Sequence, residues 1–388
     1  MIYHQIEYSK SNILIVDDTP ANLQLLSKIL SEQGYRVRPV PNGSMALSVA
    51  QVEPPDLVLL DIRMPDMDGY EVCEYLKADE KTRDIPIIFI SALEATQDKV
   101  RAFRVGGLDY ITKPFQVEEV LARVETHLAL RNLQTQLQDA NTKMGNELAL
   151  AGEVQASFLP RTLPRIPGWQ LTVTLQSSRE TSGDFYDINL LPNGRLGLLV
   201  ADVVDKGAGA ALFMALSWTL FRTYMMEYPK EPEIVLSAVN RRILEDTNTK
   251  QFVTVFYGIL DPASGSLVYC NAGHCPPFLF KLYSDEDLGQ LNRTGVPLGI
   301  FEDQTWNRGV IQLDPGDVLV LYSDGVTEAQ NADKDFFGED RLIESVRERL
   351  GNSALEIQDN IIKNLQSFMG ENSQTDDIVL SILLRESP

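Results

Sequence analysis

Apolar residues recur at Val117, Leu121, Val124 and Leu128, then at Leu130, Leu133, Leu137, Ala140, Met144 and Leu148. Steps of three and four keep these positions on one side of an α-helix, and their alternation in the later part suits a coiled-coil seam. Gln134, Gln136, Gln138, Asp139, Asn141 and Lys143 fill the intervening positions as a solvated face. No proline interrupts the run before Pro160. The pattern therefore predicts one helix over about residues 116–158, a rod on the order of 60 Å long.

Before this helix, short apolar runs at residues 13–16, 57–60 and 87–90 alternate with helical stretches at 20–31 and 69–78, and residues 109–112 read as a fifth strand. This predicts a doubly wound α/β fold with a parallel sheet, whose ligands sit at the carboxyl ends of the strands. Asp17 and Asp18 end the first strand, Asp61 the third, Ser91 the fourth, and Lys113 with Pro114 the fifth. One acidic pair could be a helix cap, as Asp18 would be for the helix opening at Pro20. Three converging carboxylates repel one another unless a divalent cation sits among them.

After the helix the pattern changes to strands at residues 170–174, 185–190, 196–202, 252–260, 266–271, 318–322 and 378–384, with a turn at Asn193 and Gly194. Helical stretches are expected at 210–224, 233–246, 341–350 and 354–368, giving an α+β layered fold. Aspartates again mark strand ends: Asp184, Asp202, Asp324, and the pair Asp376 and Asp377. Any one alone reads as a turn residue. Together they favour a binuclear oxygen-ligand site, and the separation of 18 positions from Asp184 to Asp202 fits a hairpin that returns both to one edge.

Composition narrows the chemistry. The 388 residues suggest two domains, and 44% hydrophobic with 23% charged residues is ordinary for a globular chain. A net charge of −21 argues against a nucleic-acid partner. No apolar run approaches the roughly 18 residues needed to cross a bilayer, and the start, residues 1–12, is polar, so no membrane association and a cytoplasmic location are expected. Cys73, Cys270 and Cys275 have unrelated spacings and suggest neither disulfides nor zinc. His4, His127 and His274 are scattered, which leaves metal binding to carboxylates and points to magnesium or manganese. His274 reads as a turn organiser; Lys206 and Arg179 read as solvated surface cations.

The words VDDTPAN, LLDIRMPDMDGYE, ISA and DYITKPF, spread over residues 12–128, together resemble the receiver domain of two-component response regulators. The resemblance implies a flavodoxin-like fold in which Asp61 accepts a phosphoryl group. Asp17, Asp18, Asp61 and the Arg63 carbonyl would hold Mg2+, Ser91 and Lys113 would contact the phosphoryl group, and Tyr110 would be the aromatic switch with Ser91. A cognate sensor histidine kinase is the implied partner.

A second set, ELALAGEVQASFLP, SGDFYD, VADVVDKGAGAALFMA, YCNAGHCPP, GVPLGI, DVLVLYSDGVTEA and TDDIVL, covers about residues 147–384. It resembles the metal-dependent serine/threonine phosphatases of the PPM family, in their bacterial sporulation and sigma-factor-regulator branch. That implies a layered β-sandwich flanked by helices and two Mn2+ or Mg2+ ions. Asp184 would bridge the ions, with Asp202 and the Val203 carbonyl close by, and Asp324 and Asp376 would complete the cluster; Asp377 is a further neighbour. Ser182 stands where glycine is common, and Val204 with Asp205 replaces a commoner small pair, which leaves the implied ligands intact.

The expected organisation is a receiver at residues 1–128, a helical coiled-coil linker at 129–160 and a phosphatase at 161–388. Phosphorylation of Asp61 would control hydrolysis of phosphoserine or phosphothreonine on a protein, by resemblance an anti-anti-sigma-type protein. The uncovered stripe predicts a parallel homodimer. The alternative is a non-catalytic adaptor that binds a regulatory protein in a phosphorylation-dependent way. A nucleotide cyclase output lacks a phosphate-binding loop.

Overall fold

A computed structural model describes residues 11–92, 96–160, 162–248, 250–282 and 288–387, so His4 and the first ten residues of the polar start lie outside the described residues. In chain order the first unit contains β1 (Asn12–Val16), α1 (Pro20–Glu32), β2 (Arg36–Val40), α2 (Gly43–Val52), β3 (Leu57–Asp61), α3 (Gly69–Ala78), β4 (Ile87–Ser91), α4 (Thr96–Arg104) and β5 (Asp109–Thr112). The strands form a parallel sheet in the order β2-β1-β3-β4-β5, which is the flavodoxin-like doubly wound topology.

Both faces of this sheet are buried, which is why its inner strands are apolar without alternation. Leu14, Val16, Val58, Leu60 and Phe89 pack with Ala46, Val72, Cys73 and Leu76 on one side. Ile13, Ile15, Leu57, Leu59, Ile88, Ile90 and Ile111 pack on the other with Leu26 and Leu30 of α1. Strand β2 carried no apolar run in the sequence because it is an edge strand, the position at which Pro39 is tolerated.

Helix α5 (Val117–Ala156) runs for 40 residues without a break. Val120, Val124 and Leu128 bury its first turns against the first sheet. Beyond them Leu130, Leu133, Leu137 and Met144 are half or more exposed. The chain divides into two compact units between Thr142 and Lys143, inside this helix.

The second unit continues with β6 (Trp169–Gln176), β7 (Phe185–Leu190), β8 (Leu196–Val203), α6 (Ala208–Glu227), α7 (Pro232–Asp246), β9 (Val253–Asp261), β10 (Ser266–Ala272), β11 (Phe278–Phe280), β12 (Leu288–Gln290), β13 (Gly309–Gln312), β14 (Val318–Tyr322), α8 (Asp324–Thr327), α9 (Gly338–Arg347), α10 (Ala354–Met369) and β15 (Ile378–Arg385). Two antiparallel five-stranded sheets, β13-β10-β9-β8-β7 and β12-β11-β14-β15-β6, form a sandwich. The period-two alternation of the strands sorts their side chains. On β8, Leu196, Leu198 and Val200 face the layer between the sheets, where they meet Leu319, Leu321, Val379 and Leu383. Leu199, Ala201 and Val203 face Phe213, Met214, Val235 and Val239 of α6 and α7. Val318, Val320, Tyr322, Leu380 and Ile382 face α9 and α10 through Leu342, Val346, Ile357 and Ile361. The short strands β11, β12 and β13 and the single-turn α8 carried no distinct sequence signal.

Candidate active sites

The first sheet gathers its acidic strand ends as expected. Asp17, Asp18 and Asp61 each offer an oxygen within 4.8 Å of the others, the only such trio of possible metal ligands among the described residues. Asp17 and Asp61 are buried and Asp18 is exposed. Lys113 Nζ donates to Asp61 Oδ2 at 2.6 Å and to Asp17 Oδ2 at 2.9 Å. Asn22 Nδ2 and the Thr19 N–H also donate to Asp17, and the Arg63 N–H reaches Asp61 Oδ1 at 3.3 Å.

Burial raises the Asp61 carboxyl above its ordinary range, partly offset by Lys113 and reinforced by Asp17. Burial lowers the Lys113 ammonium, but its bonds to Asp17 and Asp61 outweigh that and raise it. Lys113 is one cation set against three carboxyl groups, which leaves room for a divalent ion among them. A cavity of about 570 Å³ opens beside Asp18, Arg63 and Asp68. Ser91 ends β4 and is buried, in register with Thr112 next to Lys113. Tyr110 lies on β5 with its ring 6.3 Å from Phe103 and 5.7 Å from the Arg123 guanidinium.

The second site is built by two strand pairs. Phe185 pairs with Ala201, so Asp184 and Asp202 stand side by side at one edge of the β7–β8 hairpin. Tyr322 pairs with Leu380, which puts Asp324 beside the start of β15, directly after Asp376 and Asp377. Asp184 is buried, and its Oδ2 has no hydrogen-bond partner among the described residues. Burial first, then the charge of Asp202, pushes the Asp184 carboxyl well up. Burial also raises Asp202, with Asp376 and Asp377 adding to it. Asp324 is pushed up to about 7 by burial and by Asp202 and Asp376. These carboxylates destabilise one another as anions, and divalent cations relieve such repulsion in an oxygen-ligand site. The donor set fits two hard cations.

Asp377 differs from its neighbours. Its Oδ1 accepts from the Ser178 N–H and hydroxyl at 2.7 and 2.9 Å, and its Oδ2 from the Ser182 hydroxyl and Gly183 N–H, both at 2.8 Å. Both oxygens are used to hold the loop that leads to Asp184. The carbonyl of Asp377 also lies against Gly325, where any Cβ would overlap it. Ser182, which stands where glycine was expected, donates to Asp377 and to the Asp184 carbonyl at 3.0 Å. Ser323 is fully buried; its hydroxyl accepts from the Val379 N–H at 2.9 Å and helps join the two strand ends.

One sequence reading changes, and one residue is added. Lys206 is no free surface cation: its Nζ lies 2.8 Å from Asp376 Oδ1 and donates to the Thr375 carbonyl at 2.8 Å. No sequence pattern signals this contact, because Lys206 and Thr375 are 169 positions apart. Gln155, to which the sequence assigns no role, is buried and bonds the Ser182 backbone. A polar residue inside an apolar helical stripe is the signal that could have marked it. His274 behaves as a turn organiser, with its N–H on Asn271 Oδ1, its carbonyl accepting from Arg293 and its ring Nδ1 2.9 Å from Thr254 Oγ1. Arg179 is exposed.

Known proteins repeat both halves. A family profile described as stage II sporulation protein E (SpoIIE) matches residues 192–386, and one for the response regulator receiver domain matches residues 13–125. Protein IcfG of Synechocystis is 30% identical over 319 residues, 74% of this chain and 50% of that protein. The phosphoserine phosphatase RsbU of Bacillus subtilis is 27% identical over 265 residues, 68% of this chain and 75% of RsbU. The chain spans about half the length of curated relatives such as IcfG. The solved SiaA-PP2C domain of Pseudomonas aeruginosa shares the fold of the second unit, with a TM-score of 0.56 at 19% identity, covering 64% of this chain and 99% of that domain. The chain belongs to the SpoIIE family and carries a response regulator receiver domain ahead of its PPM-type sandwich.

Proposed function

We propose that this protein is a metal-dependent serine/threonine protein phosphatase controlled by phosphorylation of its receiver at Asp61. One observation carries the catalytic half: the buried Asp184 carboxylate, with an unsatisfied Oδ2, stands in register beside Asp202 and within the field of Asp376 and Asp377. A pure binding module has no use for mutually repelling buried carboxylates, so the adaptor reading is the weaker one. Asp184, Asp202, Asp324, Asp376 and the Val203 carbonyl would hold two Mn2+ or Mg2+ ions. When bound, these ions supply Lewis-acid polarisation of the phosphoryl oxygens and a water acidic enough to act as nucleophile. Asp377, through Ser178, Ser182 and Gly183, keeps the Asp184 loop in place for that task.

In the receiver, the Asp61 carboxylate would attack the phosphorus of a phosphohistidine donor on a sensor kinase. Lys113, already 2.6 Å from Asp61, neutralises the phosphoryl oxygens, and Asp17, Asp18, Asp61 and the Arg63 carbonyl would hold Mg2+. Ser91 and Tyr110 would report the change. The working organisation is a receiver at residues 1–128, a helical linker at 129–160 and a phosphatase at 161–388, paired in parallel through α5. No helix among the described residues is long and apolar enough to cross a membrane; the cytoplasm is the proposed place of action. RsbU is named a phosphoserine phosphatase, which supports a phosphoserine-bearing protein as substrate here, of the anti-anti-sigma type by family resemblance.

The experiment is hydrolysis of p-nitrophenyl phosphate and of a phosphoserine peptide by the full chain. Turnover that requires Mn2+ or Mg2+ and stops with chelator supports the reading. Turnover undiminished by chelator, or none with either ion, overturns it.

A further inference from the structure

Lys206 lies in the turn between β8 and α6, flanked by Asp205 at φ 80° and Gly207 at φ 83°. A positive φ on each side of Lys206 shapes the turn that carries it. Its Nζ meets Asp376 Oδ1 and the Thr375 carbonyl, each at 2.8 Å, and the Asp377 N–H reaches the same Oδ1 at 2.9 Å. Both side chains of the pair are about one-third exposed.

Resting on the metal-site reading above, we propose that Lys206 is a built-in cation that competes with a divalent ion for Asp376 and holds the metal affinity of the phosphatase site below what its carboxylates alone would give. Two opposing effects decide the sign. An ammonium that shares one carboxylate with a divalent ion repels it through a partly exposed site, an effect on the order of tenfold in affinity. The same ammonium also orients Asp376, but an ion pair this exposed contributes far less than that. Repulsion wins, so removing the charge tightens metal binding. The affinity is then adjustable: any shift of the turn that withdraws Lys206 raises occupancy at Asp376 without altering a ligand.

The test is Mn2+ titration of the full chain by calorimetry, comparing the native protein with Lys206→Met, Lys206→Arg and Asp184→Asn. The receiver trio contributes the same background to all four. Lys206→Met is expected to tighten the phosphatase-site constant about tenfold, while Lys206→Arg stays near the native value. Lys206→Gln serves the same purpose should Lys206→Met melt early. Unchanged or weaker Mn2+ binding in the neutral variants overturns the proposal. If Asp184→Asn removes the phosphatase-site binding in that experiment and leaves only the receiver background, a failure of the neutral variants belongs to Lys206 alone. If Asp184→Asn leaves the isotherm as in the native protein, the metal-site reading itself fails, and the competition with it.

Discussion

The side-chain amide of Gln155 spends both its hydrogen bonds on the backbone of one residue, Ser182: Nε2 donates to the Ser182 carbonyl at 2.6 Å, and Oε1 accepts from the Ser182 N–H at 2.9 Å. One turn earlier, Gly152 lets the helix backbone lie so close to Glu180 that any Cβ would overlap its carbonyl. The last turns of α5 therefore grip the loop that delivers Asp184. Gln155→Ala leaves a buried N–H and C=O unpaired, a cost of about 1–3 kcal/mol. The expected result is a fall of at least about tenfold in Mn2+-dependent turnover, because roughly 1.4 kcal/mol misplaced at the site is worth that factor. Near-native turnover would show that the grip is dispensable.

Asp184→Asn is expected to remove most hydrolysis while leaving the fold intact. An amide carries no charge, so it would hold divalent cations far less well than the carboxylate it replaces. The native carboxylate is strained by burial and by Asp202, so the metal-free variant should melt no lower than the native protein. Calorimetric melting in chelator and turnover in Mn2+ together check both halves. Activity retained with Mn2+ refutes the ligand assignment.

Much of this was legible in the sequence. The inner strands announce themselves because burial on both faces demands unbroken apolar runs, as at residues 57–60, and the alternating strands of the sandwich keep their period. The strand-end aspartates followed from chemistry, since buried acids need a reason. Edge strands did not: β2 is polar, and β11 to β13 are three or four residues long, too short for a period. The resemblance ranks Asp376 ahead of Asp377 as a ligand, but nothing in the sequence says what Asp377 does instead. Only the donors from Ser178, Ser182 and Gly183, nearly 200 positions away, reveal Asp377 as a brace rather than a free ligand.

Asp61 is expected to take up phosphate from acetyl phosphate in the presence of Mg2+. Lys113→Ala should leave Asp61 and Asp17 buried without their cation, so the metal-free variant should be destabilised by about 3 kcal/mol. Mass spectrometry of the phosphorylated chain checks the acceptor. Incorporation undiminished in Asp61→Ala would mean another residue is modified.

His274 gives the second unit a pH dependence of defined sign. Burial lowers its pKa from the ordinary 6.5 to about 4, so the unfolded chain takes up this proton first. The stability it contributes is fully present above pH 6.5 and is lost as pH falls toward 4, by up to about 3 kcal/mol. Asp324, raised to about 7, acts in the opposite sense and favours the fold on acidification. The comparison that isolates the histidine is native against His274→Asn, melted in chelator at pH 7 and pH 4.5. The gap between them should shift in favour of the variant at the lower pH; a constant gap excludes the buried, neutral imidazole.

The exposed stripe of α5 sets the last expectation. Val120, Val124 and Leu128 are covered by the receiver sheet, but Leu133 and Leu137 are 62% and 63% exposed in the single chain. A seam of this spacing is satisfied by a second copy of the helix, and a parallel pair would bury roughly 1.5–3 kcal/mol of apolar stabilisation per leucine. The helix carries Val120 at one end and Gln155 at the other without a break, so a change of register in the paired seam would reach the loop that Gln155 holds. A flexible connection would dissipate it. Phosphorylation at Asp61 is accordingly expected to raise phosphatase turnover in the dimer. Leu133→Glu combined with Leu137→Glu places like charges across the seam, far in sequence from both sets of aspartates. Ultracentrifugation should then find monomer, and turnover should no longer respond to acetyl phosphate. A double variant that remains dimeric, or that responds as the native protein does, rules out α5 as the transmitter.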